Sequence, residues 1–214
     1  MRTQYDEELK RVHHALVEMG TMIENAISGA IDALEQHDEK RAREIIAYDE
    51  KINRQEKEIE EMCIRLLLLQ QPVAGDLRKI STTLKLITDM ERIGDHAADI
   101  SEIVLTLPEG EMIGGEHFRE MAHQTSDMLL KSVGAYVGMN EKLARSVIAQ
   151  DDVVDRLFDM VKKDVIDSIV SDPKDGEAAT DVLLIAKYFE RIGDHATNIA
   201  EWAIFAMTGK HVES

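Results

Sequence analysis

Apolar residues recur at steps of three and four along almost the whole chain, the spacing of a single buried helix face. Between Asp6 and about Gln36, residues Leu9, Val12, Leu16, Met19, Ile23, Ala26, Ile27, Ala30 and Leu34 share one side. This predicts a first long helix, ended by His37-Asp38. A second helix is predicted from Glu39 to Leu69, followed by a turn at Gln71-Pro72-Val73-Ala74-Gly75. Asp76 is the predicted N-cap of a third helix reaching about Leu107. Pro108-Glu109-Gly110 and Gly114-Gly115 mark a linker. Three more helices are predicted after it, over Glu116–Met139, Asn140–Val170 and Asp175–Thr208, the last two separated by Ser171-Asp172-Pro173.

The second set of three helices repeats the first, and one segment repeats letter for letter. Glu91-Arg92-Ile93-Gly94-Asp95-His96-Ala97 returns 99 residues later as Glu190-Arg191-Ile192-Gly193-Asp194-His195-Ala196. The chain is therefore an internal duplication. Amphipathic helices joined by short turns pack as antiparallel bundles. The predicted fold is all-α: two tandem antiparallel three-helix bundles, residues 1–108 and 109–214.

Composition narrows the chemistry. Aromatics make up 4% of the 214 residues and prolines number three, which favours helix over sheet. The formal net charge is −17, without the basic surface that displaces counterions from nucleic acid. Such a surface suits cations or a basic protein partner. Cys63 is the single cysteine, expected in the core, so there is no disulfide framework and no cysteine zinc site. The N-terminus lacks a secretory h-region and no apolar run can span a bilayer. The expectation is a cytoplasmic protein with no membrane span.

The repeated segment carries the candidate chemistry. At about 100° per residue, Glu91, Asp95 and Asp99 fall within roughly 80° of arc, opposite Ile93, Ala97, Ile100 and Val104. Glu190, Asp194 and Asn198 form the second copy. Like charges at i and i+4 cost a few tenths of a kcal/mol per pair, which a bound cation would offset. The preceding helices supply Asp49 and Asn53 in one half and Asp151 and Asp155 in the other. Counting outward from each turn sets Asp49 and Asn53 abreast of Asp95 and Asp99, and Asp151 and Asp155 abreast of Asp194 and Asn198. These ten residues are the candidate metal ligands. Oxygen-only ligation suits hard cations, and clustered carboxylates also suit iron; the ions expected are Mg, Mn, Fe or Zn. Phe158 and Lys162 stand where the first half has Glu56 and Glu60, so the first site is expected to be the more acidic. His96 and His195 point away from the ladder and are expected to hydrogen-bond a neighbouring helix. Arg92 and Arg191 are expected to form ion pairs between helices.

These segments resemble the PhoU family, the accessory regulators of bacterial phosphate uptake, over nearly the whole chain. The family's acidic signature appears as Glu91-Asp95-Asp99 and Glu190-Asp194-Asn198, and its upstream partner motif as Asp49-Asn53 and Asp151-Asp155. The resemblance implies two three-helix bundles, often dimeric, binding metal ions or iron clusters through these carboxylates. It also implies a negative regulator of the phosphate-starvation response, acting between the ATPase subunit of the phosphate ABC transporter and a sensor histidine kinase. No phosphate-cradling glycine loop or nucleophile triad is present, so no enzyme is expected. The alternative is a ferritin-like di-metal enzyme or metal store. That class needs two Glu-x-x-His motifs, and only Glu120-Met121-Ala122-His123 occurs.

Overall fold

The computed structural model describes residues 2–70, 73–108 and 115–212. Its helices are α1 (Arg2–Gln36), α2 (Glu39–Gln70), α3 (Ala74–Val104), α4 (Gly115–Val137), α5 (Glu141–Ser171) and α6 (Gly176–Thr208), with a 3-10 turn at Pro173–Asp175 before α6. The all-α prediction holds, and every predicted helix is present. Gln71-Pro72 of the first turn and residues 109–114, most of the linker, lie outside the described residues.

The helix starts follow from local chemistry. Asp38 Oδ1 accepts from the Arg41 amide at 3.0 Å, and Asn140 Oδ1 accepts from the Leu143 amide at 3.1 Å. Both satisfy a donor that the first helical turn leaves orphaned. Just before each cap, His37 and Met139 adopt left-handed φ of 49°, so the two α–α corners are built alike. At α3 the N-cap is Val73, which offers no side-chain cap, and Asp76 lies buried in the first turn. Asp76 is thus not the cap; its carboxylate sits three residues further in, where it still favours the positive end of the helix dipole. The helix also stops at Val104, and Leu105–Leu107 form a turn tied back to Glu102 and Ile103.

The outer helices bury narrow stripes. In α2, Ile45, Ile52, Ile59 and Leu66 recur every seven residues, as do Val147, Val154 and Val161 in α5. One stripe suffices because α2 packs only on α1 and α3, and α5 on α4, α6 and the 3-10 turn. The other four helices form a ring, α1–α3–α6–α4. In α6 the buried set widens to Val182, Ile185, Ala186, Phe189, Ile192, Ala196, Ile199, Ala200 and Ala203, the breadth of a helix covered on several sides. The two three-helix units therefore share one continuous core. Each fully buried aliphatic side chain contributes about 1.5–3 kcal/mol to that core. Across the seam α3 and α6 run antiparallel: Arg78, early in α3, lies against Gly209, just past the end of α6.

Candidate metal centre

Each outer helix meets its repeat-bearing neighbour along a groove, and in both grooves the repeated glycine lies beneath a carboxylate. A Cβ at residue 94 would sit 3.5 Å from Asp49 Oδ1 and 3.1 Å from Ile52 Cγ2. A Cβ at residue 193 would sit 3.1 Å from Asp151 Oδ1. The helix interior disfavours glycine by about 1 kcal/mol relative to alanine. At Gly193 its missing side chain lets Asp151 lie directly on the helix, whereas at Gly94 it makes room chiefly for Ile52, with Asp49 in ordinary contact.

In the first groove Asn53 Nδ2 donates to Asp49 Oδ2 at 2.8 Å. Asp49 Oδ1 and Asn53 Oδ1 are buried with no hydrogen-bond partner among the described residues. Burial first, and then Asp95, raises the Asp49 carboxyl above its ordinary range, while Asn53 counteracts and Asp99 adds. Glu91 is raised by burial, Asp95, Glu56 and Asp49, against Arg92. Glu56 is raised by burial and Glu60 and also feels Asp95; it belongs to the groove although it is not among the ten predicted ligands. Arg92 donates to Asp95 Oδ2 at 2.8 Å and lies 3.5 Å from Glu91. That ion pair is within one helix, not between helices as expected, because Glu91 and Asp95 flank Arg92 on its own surface.

In the second groove Asp155 stands where the first has Asn53, and the crowding is greater. Burial, followed by Asp155, Asp194, Glu190 and Asp152, pushes Asp151 up to about 6. Asp155 is raised by burial, Glu190, Asp152 and Asp159, against Lys187. Asp194 keeps contact with solvent, yet partial burial and Glu190 raise it too, against Lys187. Lys187 bonds Glu190 and lies 5.5 Å from the centre of the Phe158 ring. The most strongly perturbed carboxyl is therefore in the second groove. Asp155 adds a charge beside Asp151, whereas Asn53 gives Asp49 a hydrogen-bond donor.

Two predicted ligands turn elsewhere. Asn198 Nδ2 donates to Asp89 Oδ1 on α3 at 3.3 Å, and His195 Nδ1 meets the same oxygen at 2.8 Å. Asp99 Oδ2 pairs with His96 Nδ1 at 3.2 Å. The His96 ring lies 5.4 Å from that of Tyr188 and 5.5 Å from that of His195. Burial lowers the His96 pKa, with Asp99 opposing and His195 adding. His195 thus bonds a neighbouring helix as expected, while His96 bonds its own. Asp99 and Asn198 line the α3–α6 seam, although Asp99 remains close enough to influence Asp49. Asp89 carries no signal in the repeat and emerges only once α3 and α6 are packed together.

The residues facing the grooves fit a hard cation. All the donors are oxygens, Asp49 Oδ1 is buried without a donor, and the glycines leave room above the helix backbone. In the present rotamers no three His, Cys, Asp or Glu side chains among the described residues converge on one point. Holding an ion would require the Asp49, Glu91 and Asp95 side chains, or Asp151, Asp155, Glu190 and Asp194, to rotate inward.

The fold and its paired grooves define a duplicated all-α protein with one carboxylate groove per repeat. The family model of the PhoU domain matches residues 16–104 and 118–203. The chain is 37% identical over 220 residues to a Clostridium acetobutylicum protein named as a phosphate-specific transport system accessory protein PhoU homolog, covering 99% of this chain and 98% of the relative. It is 33% identical to the Pseudomonas aeruginosa homolog of the same name, covering 98% of this chain and 87% of that one. The crystal structure of PhoU from Pseudomonas aeruginosa superposes with a TM-score of 0.89 at 32% identity, over 96% of this chain and 100% of the other. That of the phosphate transport system regulatory protein PhoU from Streptococcus pneumoniae gives 0.91 at 30%, over 98% and 100%. The chain belongs to the PhoU family.

Proposed function

We propose that this chain is a non-enzymatic accessory protein of a phosphate-specific transport system, and that its grooves bind metal ions. It acts in the cytoplasm as a negative regulator of phosphate uptake and of the phosphate-starvation response. It works as a homodimer between the ATPase subunit of the phosphate ABC transporter and a sensor histidine kinase, reaching the membrane only through these partners. The relatives' names support the transport role. No described helix is long and apolar enough to cross a membrane, which fits peripheral attachment.

The observation that carries the metal role is the duplicated aspartate-over-glycine contact, with Asp49 Oδ1 buried and unpartnered. Mg, Mn, Fe or Zn bound there would supply positive charge between the outer helix and its neighbour. The ions would tie α2 to α3 and α5 to α6, stiffening surfaces available to partners. A ferritin-like store has less support. Its ligands would project into the bundle core, where the buried polar side chains among the described residues are Asp76, Thr82, Thr83, His96, Ser101, Thr125 and Ser132.

A phosphate-starvation reporter in a deletion strain grown in excess phosphate tests the regulatory role. The reporter switches on, and the wild-type gene silences it again. A reporter that stays off would remove this chain from that pathway.

A further inference from the structure

The two repeats differ between the first and second helices of each. The paired corners at His37 and Met139, and the caps Asp38 and Asn140, set residues of α1 and α2 against those of α4 and α5 102 positions on. In the second repeat this place is closed by a polar network. Lys131 bonds Asp127 and reaches Gln150 Oε1 at 3.2 Å; Gln150 Nε2 donates to Asp127 at 2.9 Å and to Gln124 Oε1 at 2.7 Å.

In the first repeat every part of that network is replaced. Gly29 stands for Lys131, Asn25 for Asp127, Met22 for Gln124 and Tyr48 for Gln150. The result is an open cavity of about 430 Å³ between α1 and α2, within the range of small-molecule sites. Ile45, Ala47 and the Tyr48 ring give it apolar walls, and Asn25 lines it from α1. Ile45 closes over Gly29, where a Cβ would collide with it, and Arg41 Nη2 lies 3.1 Å from that Cβ position. The lining differs from the second repeat by two cations and one acid: Arg41 where it has Leu143, Lys51 where it has Val153, and Glu44 where it has Ser146.

In a chain of net charge −17 the lining still holds two cations, Arg41 and Lys51, against the one carboxylate of Glu44. Lys51 Nζ lies 5.1 Å from the centre of the Tyr48 ring. Arg41 meets Glu44 at 3.3 Å, but both side chains are about half exposed, so that pair is weak and can be displaced. A guanidinium fork and an ammonium lining one cavity supply more charge than a single carboxylate needs, and they match the several oxygens of a dianion.

We propose that this α1–α2 cavity binds a small organic phosphate. Its phosphate group is held by Arg41 and Lys51, and its organic part rests on Ile45 and the Tyr48 ring. The site is separate from the carboxylate grooves, so its failure would leave the metal role standing.

The test is a titration of the 15N-labelled full chain with phenyl phosphate, inorganic phosphate and benzoate, read as amide shifts. Phenyl phosphate gives saturable shifts at Gly29, Tyr48 and their neighbours. Inorganic phosphate and benzoate bind more weakly. Arg41→Leu and Lys51→Val, the residues of the second repeat, each weaken phenyl phosphate about tenfold or more. Circular dichroism checks the fold; should Arg41→Leu unfold, Lys51→Val at its exposed position decides. Absent or non-saturable shifts, shifts confined to another face, or unchanged binding in the folded variants would overturn the proposal. Equal binding of inorganic phosphate would remove the organic part, and equal binding of benzoate the dianion preference.

Discussion

Asp151 lies directly over Gly193, its Oδ1 3.1 Å from the point a Cβ would occupy, while the matching Gly94 faces Ile52 at 3.1 and 3.2 Å and Asp49 only at 3.5 Å. The two glycines are identical in sequence context and differ in what presses on them. Asp151 is partly exposed and can swing away, whereas Ile52 is fully buried. Gly193→Ala therefore gains helix propensity, about 0.5–1 kcal/mol. It does so at the expense of the aspartate position that a metal would use. Gly94→Ala gains the same propensity but overpacks the core, which costs about 1–3 kcal/mol. Urea denaturation is expected to show Gly193→Ala more stable than wild type and Gly94→Ala less stable.

The Asp151 carboxyl gives the apoprotein a pH dependence of defined sign. Its folded pKa, pushed up to about 6, exceeds its ordinary value of 3.8. Between those values the folded chain keeps a proton that the unfolded chain has released. Ionising the group therefore destabilises the fold. That penalty is absent below the ordinary pKa, grows as pH rises through the interval and is complete above about 6. Asp151→Asn is expected to raise the thermal midpoint of metal-free protein at pH 7.5 and to leave it nearly unchanged at pH 4. An equal shift at both values would show that ionisation is not the cause.

Asp89 bridges the seam between the repeats. One of its oxygens accepts from Asn198 and meets His195 Nδ1, and since a carboxylate can only accept, the His195 proton is held on Nδ1. Asp89→Ala leaves both donors without an acceptor and is expected to cost about 1–3 kcal/mol. Asn198→Ala removes only the longer, exposed bond and is expected to cost less than about 0.5 kcal/mol. Chemical denaturation of the two variants checks the order. The reverse order would show that Asn198, not His195, anchors Asp89.

Much of this architecture is legible in the sequence because apolar periodicity and the literal repeat are both local signals. The inner face predicted for α1 is the buried one, with Leu9 half-buried at its edge. Periodicity gives each helix a face but not its neighbours, so it missed that α1, α3, α4 and α6 close into one ring. The wide apolar arc of α6 was the available clue. The ladder Glu91-Asp95-Asp99 is a real stripe on α3, yet its last rung serves the seam. An arc of roughly 80° spans two neighbouring helices, and only packing decides which one a side chain meets. Lys187, three residues before Glu190, and Arg92 were visible as charges. Their choice of partners on their own helices depended on rotamers.

The measurement that bears most directly on the central claim is a metal titration of the purified protein. Mn(II) is followed by electron paramagnetic resonance and Fe(II) anaerobically, for wild type, Asp49→Asn/Asp95→Asn and Asp151→Asn/Asp194→Asn. At metal concentrations a hundredfold above Kd, binding stabilises the fold by about 2.7 kcal/mol per site, so the thermal midpoint provides a second readout. Bound metal in wild type, with each double variant losing the share of its own groove, is the predicted result. No binding in wild type, or binding and stabilisation unchanged in both variants, would contradict it.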